Sequence, residues 1–183
     1  FLSDSGLTDR YGFAGPPPVD IGYHQMHDAL ANAGYVVLRY DEPGFGKSPE
    51  APLSWEGQLE QARRAFATLS VQEEVDPGKI IVIGHGAGGW RALQLAVERK
   101  RDVVGVAILG TPGRPMREDL ERRAQATLRR LDPKGREKAQ EQHEALIRAI
   151  ETGEGIPPEF ARQATWLREV FDFDPRKAAK KVK

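Results

Sequence analysis

The chain of 183 residues has no cysteine, only two methionines, no net charge and no long apolar run. Without cysteine it holds no disulfide, no thiol nucleophile and no thiolate-ligated metal. Its 27 basic and 27 acidic side chains provide no global field that would attract nucleic acid or an anionic membrane. The longest apolar stretch, Val103 to Gly110, covers eight residues, whereas a membrane helix needs roughly 20. These absences predict a soluble chain with no nucleic-acid and no membrane partner. They leave the compartment undetermined, with the cytoplasm favoured.

What the chain does have is an ordinary globular composition, with 39% apolar and 30% charged residues. Such a composition supports a hydrophobic core and excludes disordered and fibrous classes. The first residue is Phe1 rather than methionine, and neither a basic nor a long apolar stretch follows it. This pattern favours a cut at Phe1 over a natural beginning or a signal peptide.

The first 114 residues alternate helical and strand-like segments. Helices are predicted over residues 20–33 and 54–69 and from the glycine turn 84–89 to about Lys100, and strands over residues 35–40, 80–83 and 103–109. The last two strands show no polar alternation, which is typical of strands covered on both faces. Strands separated by helices indicate parallel pairing, so the predicted fold class is α/β with helices flanking a parallel sheet.

The remaining residues have a different, helical texture. Residues 115–171 are charged and contain three amphipathic stripes, which predict helices that pack as a cap and not as a separate core. The predicted division is therefore a partial α/β core over residues 1–114, a helical cap or lid over residues 115–171, and a return segment over residues 172–183.

The most informative motif is the glycine-rich turn Gly84-His-Gly-Ala-Gly-Gly89 between a predicted strand and a predicted helix. Sites in parallel α/β sheets lie at such junctions. One interpretation is the nucleophile elbow G-x-S-x-G, in which the central residue carries the attacking oxygen. Here the central residue is Gly86, so no acyl-enzyme can form at that position.

Two other interpretations of this turn stay open. Gly84, Gly86 and Gly89 also satisfy G-x-G-x-x-G, which would place a dinucleotide pyrophosphate on the helix N-terminus. The acidic residue that this site uses about 20 positions later is replaced by Leu109-Gly-Thr111. Alternatively, the glycines only let the helix approach the sheet. A P-loop is excluded because its first glycine would fall on Asp41.

Five motifs, in order, resemble the α/β-hydrolase fold family, in particular its bacterial esterases and acyl-peptidase-like serine hydrolases. They are Leu2-Ser-Asp-Ser-Gly-Leu-Thr-Asp-Arg10, Gly34-Tyr-Val-Val-Leu-Arg-Tyr-Asp41, Gly44-Phe-Gly-Lys-Ser48, Val75-Asp-Pro-Gly-Lys-Ile80 and Gly84-His-Gly-Ala-Gly-Gly89. The resemblance covers nearly the whole chain, including a helical insertion after the strand that ends at Leu109. It implies an incomplete α/β-hydrolase-like parallel sheet flanked by helices, with a helical cap.

The resemblance also implies roles for individual residues. It puts Gly86 at the nucleophile position, takes one oxyanion amide from Ala87 and another from the loop with Ser3 and Asp4, and makes His85 a packing residue of the elbow. Asp4 would bring a carboxylate to the place where negative charge develops, which opposes catalysis. The chain also stops before the family's triad acid and histidine. We therefore expect a carboxylesterase- or acyl-hydrolase-type scaffold that is inactive as it stands.

Other polar residues give weaker signals. His24 and His27 have a spacing that suits a metal, but a surface pair is the favoured interpretation because no third ligand is readable. No metal and no cofactor are predicted. Ser3, Ser5 and Ser48 could face one cleft, yet none of them lies on the elbow.

The implied sheet order places the strand ending at Leu2 between residues 35–40 and 80–83. Two residues cannot fill that position, so residues 35–40 should stand apart, and the strand ending at Leu109 should form an open edge. Open apolar edges recruit other strands, so we expect an excised or split piece that forms a homo-oligomer or takes a complementary chain. The alternative function is a non-catalytic module that binds a small apolar ester or acyl ligand beneath the cap, or a partner at its sheet edges. Dinucleotide binding is the third.

Overall fold

The computed structural model describes residues 1–4, 8–15, 17–156 and 158–182. The chain forms two compact units. The first comprises residues 1–52, 56–111 and 177–183, and the second comprises residues 53–55 and 112–176. Within the described ranges, no helix is long and apolar enough to cross a membrane.

The first half of the chain builds a parallel strand pair flanked by helices. Its elements are β1 (Phe13–Ala14), β2 (Val19–Asp20), α1 (Tyr23–Asn32), α2 (Trp55–Ser70), β3 (Ile80–His85), α3 (Ala87–Glu98) and β4 (Val103–Leu109). β1 and β2 form a small antiparallel hairpin, whereas β3 and β4 pair in parallel across the crossover helix α3. The predicted α/β class with parallel pairing is confirmed.

The predicted helices are confirmed, with one shifted boundary. α1 begins at Tyr23 and not near Asp20, because Asp20 pairs with Phe13 in the hairpin. Sequence analysis missed that hairpin, since two-residue strands leave no readable alternation.

The strand predicted over residues 35–40 is wrong, because this segment is neither helix nor strand. Its β-branched and aromatic side chains favour a strand, but that preference is realised only beside a partner strand. The neighbouring position holds Leu2 in a single parallel bridge to Gly84. Tyr35 and Val36 accordingly remain 57% and 49% exposed. Residues 35–40 thus stand apart from the sheet, as the implied strand order predicted.

The prediction that both faces of the strands are covered is also wrong. Ile80 and Val82 of β3 are buried in the core together with side chains of α2 and α3. Ile81, however, is 47% exposed, and Val104 and Ile108 of β4 are 57% and 46% exposed. An apolar run does not reveal whether a neighbouring element covers both of its faces.

Asp41 holds the loop that follows residues 35–40. Its carboxylate accepts hydrogen bonds from Nε and Nη2 of Arg10 at 2.9 and 2.6 Å and from the N–H of Lys47 at 2.9 Å. These bonds, those from Arg10 foremost, hold the pKa of Asp41 well below its usual range. The loop of residues 44–48 therefore folds onto a carboxylate of this chain.

We expect Asp41→Asn to lower the free energy of unfolding by about 2 kcal/mol at pH 7, because a buried, charge-assisted hydrogen-bond set is lost. The folded-state pKa of Asp41 is depressed, so its contribution is present above the unfolded-state value near 4 and is lost as pH falls below it. The difference between variant and parent should shrink between pH 5 and pH 2. Urea titrations across that range measure it, and a difference independent of pH would contradict the assignment.

The second unit is helical. It contains α4 (Met116–Leu128), α5 (Pro133–Thr152), a 3₁₀ helix (Pro158–Gln163) and α6 (Ala164–Val170), and the short α7 (Pro175–Ala179) follows. Asp132 caps α5 by accepting a hydrogen bond from the N–H of Gly135 at 2.8 Å, with Pro133 at the first helical position. Arg117 joins Glu151 and Asp172 through ion pairs of 2.8 Å each. The prediction that this region contains helices and no strand is confirmed for its described residues.

Candidate functional site

The turn between β3 and α3 depends on the backbone of Gly86. This residue has φ 54° and ψ −125°, a conformation that side-chain-bearing residues adopt only with strain. Its N–H donates to the carbonyl of Leu109 at 2.9 Å, which ties the turn to the end of β4. The turn therefore lies at the carboxyl ends of two parallel strands, where sites in α/β sheets are built.

The flanking glycines allow close packing. A Cβ on Gly84 would meet the carbonyl of Gly88, and a Cβ on Gly88 would meet the carbonyl oxygens of Leu2 and Ser3. A Cβ on Gly89 would meet the hydroxyl of Thr111. These contacts support a packing role for the three flanking glycines. The dinucleotide interpretation of the same residues stays a prediction.

The carboxylate of Asp4 lies against the centre of the turn. Its Oδ1 accepts a hydrogen bond from the N–H of Ala87 at 2.7 Å. A Cβ built on Gly86 would overlap the same carboxylate. Asp4 thus occupies both the space of a side chain at position 86 and the amide that the resemblance assigns to an oxyanion. A negative group is also favoured there by the positive end of α3.

Tyr23, which sequence analysis missed, connects Asp4 to His85. The N–H of Asp4 donates to the hydroxyl of Tyr23 at 3.2 Å, and that hydroxyl lies 2.8 Å from Nδ1 of His85. Burial raises the pKa of Tyr23, so its hydroxyl stays protonated in this contact. His85 is therefore held by a neighbour, and its Nδ1 is already engaged.

A buried ion pair stabilises the loop that contains Ser3 and Asp4. Arg91 of α3 and Glu42 have fully buried side chains, with Nη1 and Oε1 2.9 Å apart. The hydroxyl of Ser3 donates to the same Oε1 at 2.8 Å, and Nη2 of Arg91 donates to the carbonyl of Ser3. This cluster joins the Ser3–Asp4 loop, the loop after residues 35–40 and α3 into one polar network.

The signal for this network was present in the sequence. Arg91 interrupts an apolar helical stretch, Trp90-Arg-Ala-Leu93, and a charge within a buried helix requires a partner of opposite charge. The identity of that partner was not readable, because Glu42 is 49 positions away.

The prediction that His24 and His27 form a surface pair is wrong for His27, which is 3% exposed. Its ring lies 4.8 Å from the ring of Phe1, and its Nδ1 lies 3.3 Å from Nη1 of Arg39. Burial, together with the charge of Arg39, lowers the pKa of His27 to about 4. His27 is buried because it lies four residues after Tyr23 on α1. This spacing puts both side chains on the same, buried face of the helix.

The remaining sequence candidates are not grouped around the turn as free nucleophiles. The hydroxyl of Ser48 donates to the carbonyl of Asp41 at 2.7 Å, and that of Ser3 is engaged by Glu42. Ser5 and Gly6 lie outside the described residues. Among the described residues, no group of three or more acidic or histidine side chains could hold a metal ion.

The family model described as "Alpha/beta hydrolase family" matches residues 6–180. Esterase EstD of Thermotoga maritima is 28% identical in an alignment of 184 positions that covers 97% of this chain and 42% of the esterase. A 2-hydroxy-6-oxononadienedioate/2-hydroxy-6-oxononatrienedioate hydrolase from a Pseudomonas species is 32% identical over 115 residues, which cover 60% of this chain and 39% of that hydrolase.

A solved structure also matches over most of this chain. A probable hydrolytic enzyme from Pseudomonas aeruginosa PAO1 matches 95% of this chain and 53% of its own with 19% identity and a TM-score of 0.42. This chain spans 42% of the esterase and 39% of the Pseudomonas hydrolase. Because the family model covers residues 6–180, this chain belongs to the alpha/beta hydrolase family and has part of that fold, a small parallel sheet flanked by helices.

Proposed function

We propose that this chain is a carboxylesterase- or acyl-hydrolase-type scaffold whose elbow does not catalyse as it stands. The observation that carries this proposal is the contact between the Asp4 carboxylate and the N–H of Ala87 at 2.7 Å, next to the bare Gly86. Acyl transfer at an elbow needs an attacking oxygen and free amides for the oxyanion. Here one carboxylate occupies both positions.

Charge repulsion from the Asp4 carboxylate would also oppose acyl transfer at the elbow. Two unit negative charges about 4 Å apart repel by about 4 kcal/mol at an effective dielectric constant of 20. An oxyanion beside an ionised Asp4 would be disfavoured by about that amount, and each 1.36 kcal/mol corresponds to about a tenfold change in rate. The carboxylate alone would therefore slow acyl transfer by about a thousandfold.

The neighbouring polar residues do not replace the missing nucleophile. Ser3 is buried, and its hydroxyl donates a hydrogen bond to the carboxylate of Glu42. His85 has its Nδ1 held by Tyr23, and no serine stands beside it on the turn. The relative EstD is an esterase, which supports an ester as the ligand class of the scaffold. We propose residues 115–171 as its cap and residues 172–183 as the return segment.

We expect this chain to hydrolyse p-nitrophenyl acetate no faster than buffer. Gly86→Ser should also be inactive, because the new side chain would meet the Asp4 carboxylate and the backbone at position 86 has a positive φ that is strained for serine. The matched control is Gly86→Ala, which has the same backbone strain without the oxygen. A parent rate above that of buffer that disappears in Gly86→Ala would overturn the proposal, since it would show that the turn catalyses without a side chain.

A second candidate function is self-association through β4. Within the described residues β4 pairs only with β3, so its other edge is open. Val104, Ile108 and Leu109 are 57%, 46% and 41% exposed on this strand. We infer that this edge pairs with a second copy of the chain or with a complementary chain, because open apolar strands recruit partners.

Light scattering after size exclusion should give a mass above the 20.3 kDa of one chain, rising with concentration. Val104→Lys should return the chain to its monomer mass, because a charge on an edge strand opposes pairing. The matched control is Val71→Lys, at a 76% exposed position outside the strands, which should leave the mass unchanged. A parent that is monomeric at all concentrations and melts in a single transition would exclude this candidate.

A further inference from the structure

A small polar cavity in the first unit is lined by His27 of α1 and by Tyr40 and Glu42 of the segment that follows α1. Its volume is about 10 Å³. A single water molecule needs roughly 10–15 Å³ when the volume is measured with a water-sized sphere. The cavity therefore has the size of one water molecule and excludes larger ligands.

Three buried side-chain atoms of these lining residues have no hydrogen-bond partner among the described residues. They are Nε2 of His27, the hydroxyl oxygen of Tyr40 and Oε2 of Glu42. The carboxylate of Glu42 shows the asymmetry, because its Oε1 accepts from Ser3 and Arg91 whereas its Oε2 accepts from neither. Since burying a polar group without a hydrogen bond is costly, these three atoms require a further partner.

The ring proton of His27 lies on Nε2. Nη1 of Arg39 is 3.3 Å from Nδ1 of His27, and a guanidinium only donates, so Nδ1 accepts and Nε2 carries the proton. The ring is neutral at pH 7, since burial, together with the charge of Arg39, lowers its pKa to about 4. Nε2 is therefore a donor that faces no acceptor of this chain.

Tyr40 provides a second donor and Glu42 an acceptor. Burial, together with the charge of Glu42, raises the pKa of Tyr40, so its hydroxyl is protonated. Oε2 belongs to a carboxylate that is paired with Arg91, and an ionised carboxylate only accepts. The unpartnered atoms are thus two donors and one acceptor.

The other charged side chains that line this cavity already have partners. Arg10 donates to the carboxylate of Asp41, Arg39 contacts His27, and Asp9 accepts from two backbone N–H groups. The hydrogen-bonding requirements of the cavity are therefore set by the two donors and the one acceptor.

A neutral molecule fits these three atoms better than an ion. A cation would meet the N–H of His27, and an anion would meet the carboxylate of Glu42. We propose that this cavity binds one water molecule, which accepts hydrogen bonds from Nε2 of His27 and the hydroxyl of Tyr40 and donates one to Oε2 of Glu42. Buried waters typically make about three such bonds.

This water would extend the polar network behind the elbow. A water bridge is nearly as favourable as a direct hydrogen bond. Glu42 also binds Arg91 and the hydroxyl of Ser3. Through the water, His27 of α1 and Tyr40 thus join the cluster that holds the Ser3–Asp4 loop.

NMR of the isotope-labelled full chain tests the site directly. The carbon-bound Hε1 of His27 does not exchange with solvent, and the residue is 3% exposed, so a dipolar cross-peak between Hε1 and water would report a bound molecule. We expect this cross-peak, together with ring nitrogen shifts that place the proton on Nε2. A missing cross-peak, a proton on Nδ1, or a Tyr40 hydroxyl that bonds directly to Glu42 without water would each overturn the proposal.

Tyr40→Phe removes one of the two donors, and Tyr35→Phe is the matched control at a 57% exposed position. Tyr40→Phe should lower Tm by about 2–4 °C, the shift expected for one buried hydrogen bond in a chain of this size. It should also weaken the cross-peak between His27 and water. Tyr35→Phe should leave both unchanged. A Tyr40→Phe variant with the Tm and the cross-peak of the parent would overturn the proposal, because the hydroxyl would then have no part in the site.

Discussion

Arg91→Met is expected to lower the free energy of unfolding by about 3–5 kcal/mol, since removing one partner leaves the buried carboxylate of Glu42 without a countercharge. The carbonyl of Ser3 loses a donor in the same variant. Guanidinium titrations at constant m-value measure the loss. The expected effect is large because the side chains of Arg91 and Glu42 are 0% and 1% exposed.

The double variant Glu42→Leu with Arg91→Met separates charge from packing. Apolar replacement of a whole buried pair is often close to neutral, so most of the loss should be recovered. About 1 kcal/mol should remain, because the hydroxyl of Ser3 no longer has its acceptor. Single and double variants of equal stability would mean that the pair contributes through volume and not through charge.

Gly88→Ala is expected to have the second large effect, a loss of at least about 2 kcal/mol in the free energy of unfolding. Helix propensity favours alanine by about 1 kcal/mol at a helical position. The new Cβ, however, would meet the carbonyl oxygens of Leu2 and Ser3, which are backbone atoms and cannot rotate away. Overpacking of this kind typically costs about 1–3 kcal/mol and occasionally more, so the steric effect should exceed the gain in propensity.

Gly105→Ala is the matched control for Gly88→Ala. A Cβ on Gly105 would lie 3.8 Å from Cγ1 of Ile81, which is an ordinary contact. Thermal unfolding of both variants should show a clear fall in Tm for Gly88→Ala and little change for Gly105→Ala. Equal stability of the two variants would contradict the close approach of α3 to the Ser3–Asp4 loop.

Much of the fold was readable from residues near in sequence. The apolar stretches of β3 and β4, separated by a helical segment, predicted their parallel pairing, and the glycine turn predicted where α3 begins. Residues 35–40 could not be read in this way, because a strand forms only beside a partner and the partner position holds Phe1 and Leu2. The exposure of Ile81 and Val104 could not be predicted either, since elements distant in sequence decide whether a strand's side chains are covered.

The candidate site shows a similar division. Sequence alone determined that position 86 carries no side chain and that Asp4, 82 positions before Gly86, brings an opposing charge. It did not reveal Tyr23, Glu42 or Arg91, since their contacts join residues between 19 and 88 positions apart.

By itself, then, the sequence determined the alternation of helices and strands, the glycine turn and the absence of a nucleophile on it. These properties depend on residue type and local spacing. Only the tertiary structure decided that Asp4 meets Ala87 and that a buried ion pair holds the Ser3–Asp4 loop. Those features arise from contacts between segments distant in the chain, where geometry and burial, not local preference, set the energy.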